Sequence, residues 1–215
     1  VDTLIQIDDA GSGSLIGGTC IGAMRIETKE YIYDFIPVEY YYEHAFENKA
    51  YIAKCEDIVY TLVSRLDPLK NEDILICQGY MFETVRRSLR RKGYAVHSTK
   101  IQNPLQNIIE KTFQNYALNL GLPVQYVKYT RYPLHFHRIL RWVYADYDKR
   151  SRLCKTGWKS WKKYGQLNIQ ITEDIIFNKN YTCLKCGKKI KPGSHVRVLK
   201  YTSNCPNTIY LHKKC

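Results

Sequence analysis

Apolar and polar residues alternate in "TLIQI" (3–7) and again in "TCIGAMRIE" (19–27), and "YIYDFIPVEYYY" (31–42) is a third β-rich run, so the chain opens with three strands. The turns between them are too short for crossover helices, which predicts an antiparallel meander. The period then changes. In "NKAYIAKCEDIVYTLVSRL" (48–66), Ile52, Cys55, Val59, Leu62 and Leu66 recur at helical spacing. "DILICQGY" is short and nearly all apolar, the pattern of a strand covered on both faces. "MFETVRRSLRRKG" predicts a helix closed at Gly93, "YAVHSTKI" a strand, and "PLQNIIEKTFQNYALNLG" a helix opened by Pro104 and stopped at Gly121. "VQYVKYT" (124–130) reads as a last strand. The order βββαβαβαβα predicts an α/β fold, a mixed sheet flanked by helices with βαβ crossovers in its second half.

From Pro133, "PLHFHRILRWVYADYDKR" reads as one helix with Phe136, Ile139, Leu140, Val143 and Tyr147 on a single stripe. His135 and Asp146 lie at the edge of that stripe, and His137 and Asp148 on the far side. Eleven residues apart, His135 and Asp146 are separated by about 16 Å along a continuous helix, too far to share one metal.

Charge divides the chain. Residues 1–150 hold 19 Lys and Arg against 18 Asp and Glu, whereas residues 151–215 hold 14 against 2, so nearly all of the net +13 sits in the last 65 residues. A basic block attached to a neutral globule points to a polyanion partner, DNA or RNA, or else serves only as a solubilising surface. "RSRLCKTGWKSWKKYG" (150–165) interleaves Arg150, Arg152, Lys155, Lys159, Lys162 and Lys163 with Trp158, Trp161 and Tyr164. The cations suit phosphates, and the aromatic faces suit either unpaired bases or the packing of this segment onto the core. There is no run of 18 apolar residues and no basic leader followed by an apolar stretch, so the expectation is a soluble, cytoplasmic protein with no membrane partner. Of the eight cysteines, Cys20, Cys55, Cys77 and Cys154 lie inside apolar stretches, as reduced core cysteines do.

Two motifs carry chemistry. "IDDAGSGSLIGG" (7–18) sets Asp8 and Asp9 at the end of a buried strand, where α/β sheets place ligands, followed by glycines whose main-chain amides can approach a phosphate or sugar closely. Such a turn is also compatible with an actin-like ATPase, but those enzymes need two lobes of this fold and 150 residues make one. Extended to "IDDAGSGSLIGGTCIGAMRI", the stretch resembles the opening of the type 2 ribonucleases H, with their Asp-Glu-Ala-Gly-Arg-Gly motif. The resemblance implies a ribonuclease H-like domain over residues 1–150, Asp8 and Asp9 as ligands of catalytic Mg²⁺ or Mn²⁺, and Gly11, Ser12 and Gly13 as the loop that senses a ribonucleotide 2′-hydroxyl in an RNA/DNA hybrid. Asp9 replaces the family's Glu and Ser12 its Arg. At the places of two further acids the sequence offers Gln78 and Tyr129, poor ligands for a hard cation. Glu83, Glu110 and His135 are the candidate substitutes, although Glu83 and Glu110 read more readily as solvated helix residues and His135 as a surface or capping residue.

"CLKCGKKIKPGSHVRV" and "LHKKC" supply Cys183, Cys186, His212 and Cys215, a C-x2-C pair and an H-x2-C pair separated by 25 residues. Four soft or borderline donors in two short pairs predict a closed, structural Zn²⁺ site, with Cys205 and His195 in reserve. By spacing this resembles the Cys-Cys-His-Cys finger of poly(ADP-ribose) polymerases and, more loosely, treble-clef fingers. The expected organisation is therefore a ribonuclease H-like domain (1–150), a basic connector helix and linker (151–180) and a zinc finger (181–215). Lys155, Trp158, Lys159, Lys162 and Lys163 are candidate nucleic-acid contacts. The function expected is nucleic-acid binding; whether the reduced set of acids also supports metal-dependent endonuclease activity on RNA/DNA hybrid or structured DNA is left open, Gln78 and Tyr129 tilting the balance toward binding alone. An inactive binder or a protein-interaction adaptor are the alternatives.

Overall fold

The computed structural model describes residues 3–127, 132–177 and 181–215. Strands β1 (Leu4–Ala10), β2 (Thr19–Arg25) and β3 (Glu30–Ile36) form the expected antiparallel meander, with Asp9 opposite Ile21 and Ile21 opposite Asp34. A short helix α1 (Glu43–Glu47) leads into α2 (Ala50–Leu66), which carries the chain over to β4 (Asp73–Cys77). Helix α3 (Glu83–Arg91) then leads to β5 (Ala95–Thr99), and α4 (Leu105–Asn119) crosses back over the other face. β4 pairs parallel with β1, and β5 parallel with β4, so the mixed five-stranded sheet has the order β3-β2-β1-β4-β5.

Alternation along β1 sorts its side chains between the two faces. Ile5 and Ile7 pack under α2 and α3, together with Cys55, Val59, Leu62, Ile76, Val85 and Leu89. Ala10 packs on the opposite face with Met24, Leu105 and Ile109 of α4. Burying a side chain of this size contributes about 1.5–3 kcal/mol, and the two faces together fix the register, because a slip of one residue would exchange them and send Gln6 and Asp8 into the apolar core under α2 and α3.

Three elements depart from the pattern in the sequence. Residues 124–127 form a helical turn, α5 (Val124–Val127), not a strand, closed by Tyr126 N–H to the Pro123 carbonyl at 2.8 Å. The long helix expected from Pro133 is split into α6 (Tyr132–Tyr144) and α7 (Tyr147–Arg150), with Asp146 outside helical geometry at φ −152°, ψ 65° between them. Among the described residues of the basic connector, a 3-10 turn at Ser151–Leu153 and the short α8 (Lys159–Tyr164) are helical, and its second half forms β6 (Gln170–Ile176).

β6 joins the C-terminal module. Strands β7 (Tyr181–Thr182) and β8 (Lys189–Ile190) pair as a small hairpin, and β9 (Ser194–Thr202) lies between β6 and β10 (Pro206–His212) in a three-stranded antiparallel sheet. One apolar cluster runs from Leu15 and Ile16 through Phe136, Ile139, Leu140 and Val143 of α6 and Trp161 of α8 to Cys183, Val196, Tyr201 and Ile209. The module and the α/β domain thus share a core. Arg150 locks them together: its guanidinium donates to the carbonyls of Leu184 and Lys185, both at 2.9 Å, and stacks 4.0 Å from the Trp142 ring. None of the eight cysteines, all among the described residues, is in a disulfide. No helix among the described residues is long and apolar enough to cross a membrane.

Candidate functional site

β1 and β4 run in parallel up to the Ile7–Ile76 pair, so the residues that follow them emerge side by side at the carboxyl end of the sheet. One oxygen each of Asp8 and Asp9 and the Cys77 sulfur lie within 4.8 Å of one another. The two acids approach this point from opposite faces. Asp8 sits on the α4 side, nine-tenths buried, where it accepts from the Cys77 thiol and the Asp9 N–H and faces the charge of Glu110. Asp9 leans toward the glycine turn, accepting from the hydroxyl and N–H of Ser12.

The turn is held from below. Gly11 adopts φ +84°, and a Cβ there would stand 2.0 Å from the Phe113 ring, so the α4 aromatic is seated directly on the backbone and only glycine fits. Ser14 N–H closes the turn on the Gly11 carbonyl at 3.0 Å. An antiparallel bridge between Ile16 and Cys154 then straps the loop to the start of the connector, with Lys155 N–H to Leu15 O at 2.9 Å and Gly17 N–H to Leu153 O at 2.8 Å.

This strap reverses the expectation for Lys155. Its side chain is fully buried, not presented to a phosphate. Nζ donates to the Gly11 carbonyl at 2.7 Å, contacts Ser12 O and Thr19 Oγ1, each at 3.4 Å, and lies 4.6 Å from the centre of the Tyr41 ring. Burial pulls its pKa down to about 7 against the attraction of Asp9. Burial likewise pushes the Asp9 carboxyl up to about 6, with Asp8 adding to the rise, against the Ser12 bonds and the charge of Lys155.

A pH dependence follows from Asp9. An acid whose native pKa is raised holds its proton more tightly folded than unfolded, so it favours the native state as pH falls from about 6 toward 3.8, and that contribution is lost on going back up. In metal-free protein the stability of the wild type relative to Asp9→Asn is expected to rise by on the order of 2 kcal/mol between pH 7 and pH 4. Urea unfolding of both proteins across that range measures it, and a flat difference would contradict the raised carboxyl.

Beside Asp9 opens a cleft of about 400 Å³, lined by the 11–14 turn, by Glu110, Phe113, Gln114 and Ala117 of α4, and by Leu122, Val127 and His135. Two of the three candidate substitute ligands therefore reach the same cleft as Asp9. His135 is nearly buried, with its pKa lowered by burial and by the charge of Arg138, which leaves a neutral imidazole suited to proton exchange or ligation. The third, Glu83, instead pairs with Arg87 at 3.1 Å on the exposed side of α3. Gln78 is exposed beyond the end of β4, and Cys77 takes the place beside the acids. Tyr129 lies outside the described residues. Asp146 pairs with Lys185 at 3.3 Å, and the His137 ring packs edge-on against Phe136 and Tyr164.

The cationic side chains divide between structure and surface. Arg150 points inward as the clamp described above, and Trp161 is buried against α6. Lys159, Lys162 and Lys163 are exposed on α8, Lys162 in an ion pair with Glu47 at 2.8 Å. Trp158 is half-buried, its ring 5.1 Å from Lys155 Nζ, so α8 begins beside the glycine turn. Lys188, Lys189, Lys191, Arg197, Lys200 and Lys214 extend the exposed charge over the C-terminal module.

In that module Cys183, Cys186, His212 and Cys215 bring four donor atoms within 4.8 Å of one another. Gly187, at φ +75°, turns the C-x2-C segment back so that its N–H bonds the Cys183 carbonyl at 2.8 Å. His212 stands at the end of β10 with Nδ1 3.3 Å from Cys186 Sγ, while Nε2 lies 3.3 Å from the Lys189 carbonyl, the outer hydrogen bond that fixes a ligating imidazole. The group can hold a metal ion such as zinc. His195 and Cys205 are exposed and stand apart from it. Cys77 is the site residue that the sequence did not single out; its place at the end of a strand parallel to β1 was the available signal. No protein-family model matches this chain and no curated protein is similar to it, so the reading of the cleft rests on its own chemistry.

Proposed function

We propose that the chain is a nucleic-acid-binding protein with a ribonuclease H-like domain that cuts a phosphodiester with a divalent metal held at Asp8 and Asp9. The observation that carries this reading is the convergence of Asp8, Asp9 and Cys77, with Asp9 lining a cleft that also takes Glu110 and His135. A meander continued by two parallel strands is compatible with that fold, and the acids stand at its carboxyl end. A divalent cation there supplies charge to a scissile phosphate and acidity to a water molecule.

The protein's own groups divide the remaining work. The 11–14 turn offers main-chain amides and the Ser12 hydroxyl to a sugar or phosphate, His135 exchanges a proton, and α8 with the C-terminal module neutralises the flanking backbone. Zinc at Cys183, Cys186, His212 and Cys215 serves structure, because all four positions are filled by protein.

A labelled RNA/DNA hybrid and a branched DNA, each incubated with Mn²⁺ and wild type or Asp8→Asn, provide the test. The wild type is expected to cleave, and the variant to lose at least about 100-fold in rate, the loss that even an outer-shell partner of a metal can cause. Both proteins should bind with steep salt dependence. One observation favours a binding-only reading: Asp9 already has the Ser12 donors and the Lys155 charge to satisfy it. Absence of cleavage by either protein, with salt-sensitive binding retained, selects that reading.

A further inference from the structure

We propose that Cys77 completes the Asp8 and Asp9 site as a third ligand and turns it into a carboxylate–thiolate centre that prefers a borderline divalent ion of the Zn²⁺ or Co²⁺ kind to Mg²⁺. The inference rests on the reading of Asp8 and Asp9 as metal ligands and adds the identity of the ion.

The geometry is held from two sides. β1 and β4 deliver Asp8 and Cys77 from adjacent parallel strands, and the three donor atoms fall within 4.8 Å. Behind them, Arg86 of α3 donates to the Cys77 carbonyl and, at 3.1 Å, to the Gly79 carbonyl, fixing the turn that follows the strand. Gly79 N–H points back to Cys77 Sγ at 3.5 Å, and a Cβ on Gly79 would still stand 4.0 Å from Asp9 Oδ1. The sulfur is therefore oriented by the backbone as the acids are.

Charge supplies an independent reason for a cation. Asp8 is nine-tenths buried, yet no Lys, Arg or His among the described residues forms an ion pair with it, and its charged neighbours are Asp9 and Glu110. Lys155, the nearby buried cation, acts on Asp9. An anionic carboxylate buried without a counter-ion is costly, and a bound divalent ion offsets that cost.

Ligand softness then decides which ion. Mg²⁺ takes oxygen ligands in near-octahedral geometry and keeps much of its water, whereas thiolate ligation favours zinc-like ions, and a coordinating thiol gives up its proton to solvent on binding. Cys20 and Cys55 are buried nearby but lie outside the donor group, so the preference is assigned to Cys77 alone.

The test uses the full chain loaded with a single equivalent of Zn²⁺, which the closed four-donor Cys/His site takes first; metal analysis should give one Zn²⁺ per chain, the same in Cys77→Ser and Asp8→Asn, before the titration begins. Co²⁺ is then titrated into wild type, Cys77→Ser and Asp8→Asn, following the thiolate-to-cobalt charge-transfer absorption, with Mg²⁺ competition run in parallel. The wild type should take up a further equivalent of Co²⁺ with that absorption. Cys77→Ser should bind Co²⁺ at least about 10-fold more weakly and without it, while its affinity for Mg²⁺ is maintained. Asp8→Asn should lose the further equivalent. If the wild type binds Co²⁺ without the thiolate absorption and Cys77→Ser matches it, while Asp8→Asn does not bind, the acids hold a metal and the role of Cys77 is overturned. If the wild type takes up no further Co²⁺, the reading of the acids as a metal site falls as well.

Discussion

Chelation of a zinc-like ion bound by the Cys183, Cys186, His212 and Cys215 group, or the substitution Cys183→Ser, is expected to unfold the C-terminal module and to destabilise the helical layer beneath it by several kcal/mol. The module from β6 to Cys215 has too few apolar residues to fold unaided, and structural zinc supplies apparent binding energies of about 10–16 kcal/mol in such small units. Its buried residues Ile190, Val196, Val198, Ile209 and Leu211 belong to the same cluster as α6, and Tyr201 meets Tyr144 with ring centres 4.6 Å apart. Arg141 and Arg150 carry the coupling by donating to the carbonyls of Thr208 and of Leu184 and Lys185. Loss of the metal therefore strips three main-chain acceptors and an apolar face from the α/β domain. Thermal unfolding with and without chelator, combined with proteolysis of the 181–215 segment, measures this; an unchanged melting temperature and unchanged proteolysis would mean that the four donors hold no metal that matters to the fold.

That module also shows what spacing can and cannot convey. Two short pairs of soft donors singled out the four residues, because a tetrahedral site needs such pairs, and the structure brings the four donor atoms together. The strand β6 was hidden in the connector because "QITEDII" is polar and exposed along most of its length and is held only by its ladder to β9. In the α/β domain the long periodic segments were legible: α2 and α4 fall where the apolar spacing puts them. "VQYV" alternates like a strand, yet it folds as a turn because Pro123 accepts the Tyr126 N–H and the Tyr126 ring lies under Arg138, 4.8 Å from its guanidinium carbon. Tertiary contact overrode local pattern there. The break between α6 and α7 has no proline or glycine to announce it.

The candidate site was legible in half. The glycine turn and its two acids stand out in the sequence, but strand alternation sends Asp8 and Asp9 to opposite faces, and what makes them meet is the end of the strand. Cys77 was legible only as one more apolar-run cysteine until the parallel register set it beside Asp8. Lysine residues have no spacing that separates an inward one from an outward one. Lys155 lies in a run of cations, and only the bridge of Ile16 to Cys154 turns it into the protein.

Replacing that lysine is expected to cost about 1.5–3 kcal/mol, the range for a hydrogen bond made by a charged group, since Nζ bonds the Gly11 carbonyl and acts on Asp9 through space. Lys155→Met keeps most of the stem volume but leaves the Gly11 carbonyl with only its Ser14 N–H donor and Asp9 without its nearby cation. Lys155→Arg should not restore stability, because a fully buried site fitted to one ammonium has no room for a planar guanidinium. If the loss arises from the pair, Asp9→Asn combined with Lys155→Met should destabilise less than the sum of the two single changes, since each removes the partner of the other. Urea unfolding of the four proteins closes that cycle. Lys155→Met within about 0.5 kcal/mol of wild type, the scale of an ordinary surface change, would show that the glycine turn stands without its internal cation. With the predicted loss, the turn that presents Asp9 to the cleft is instead a shape imposed by a residue 144 positions away from Gly11, and the chemistry at the end of β1 depends on the connector staying strapped to it.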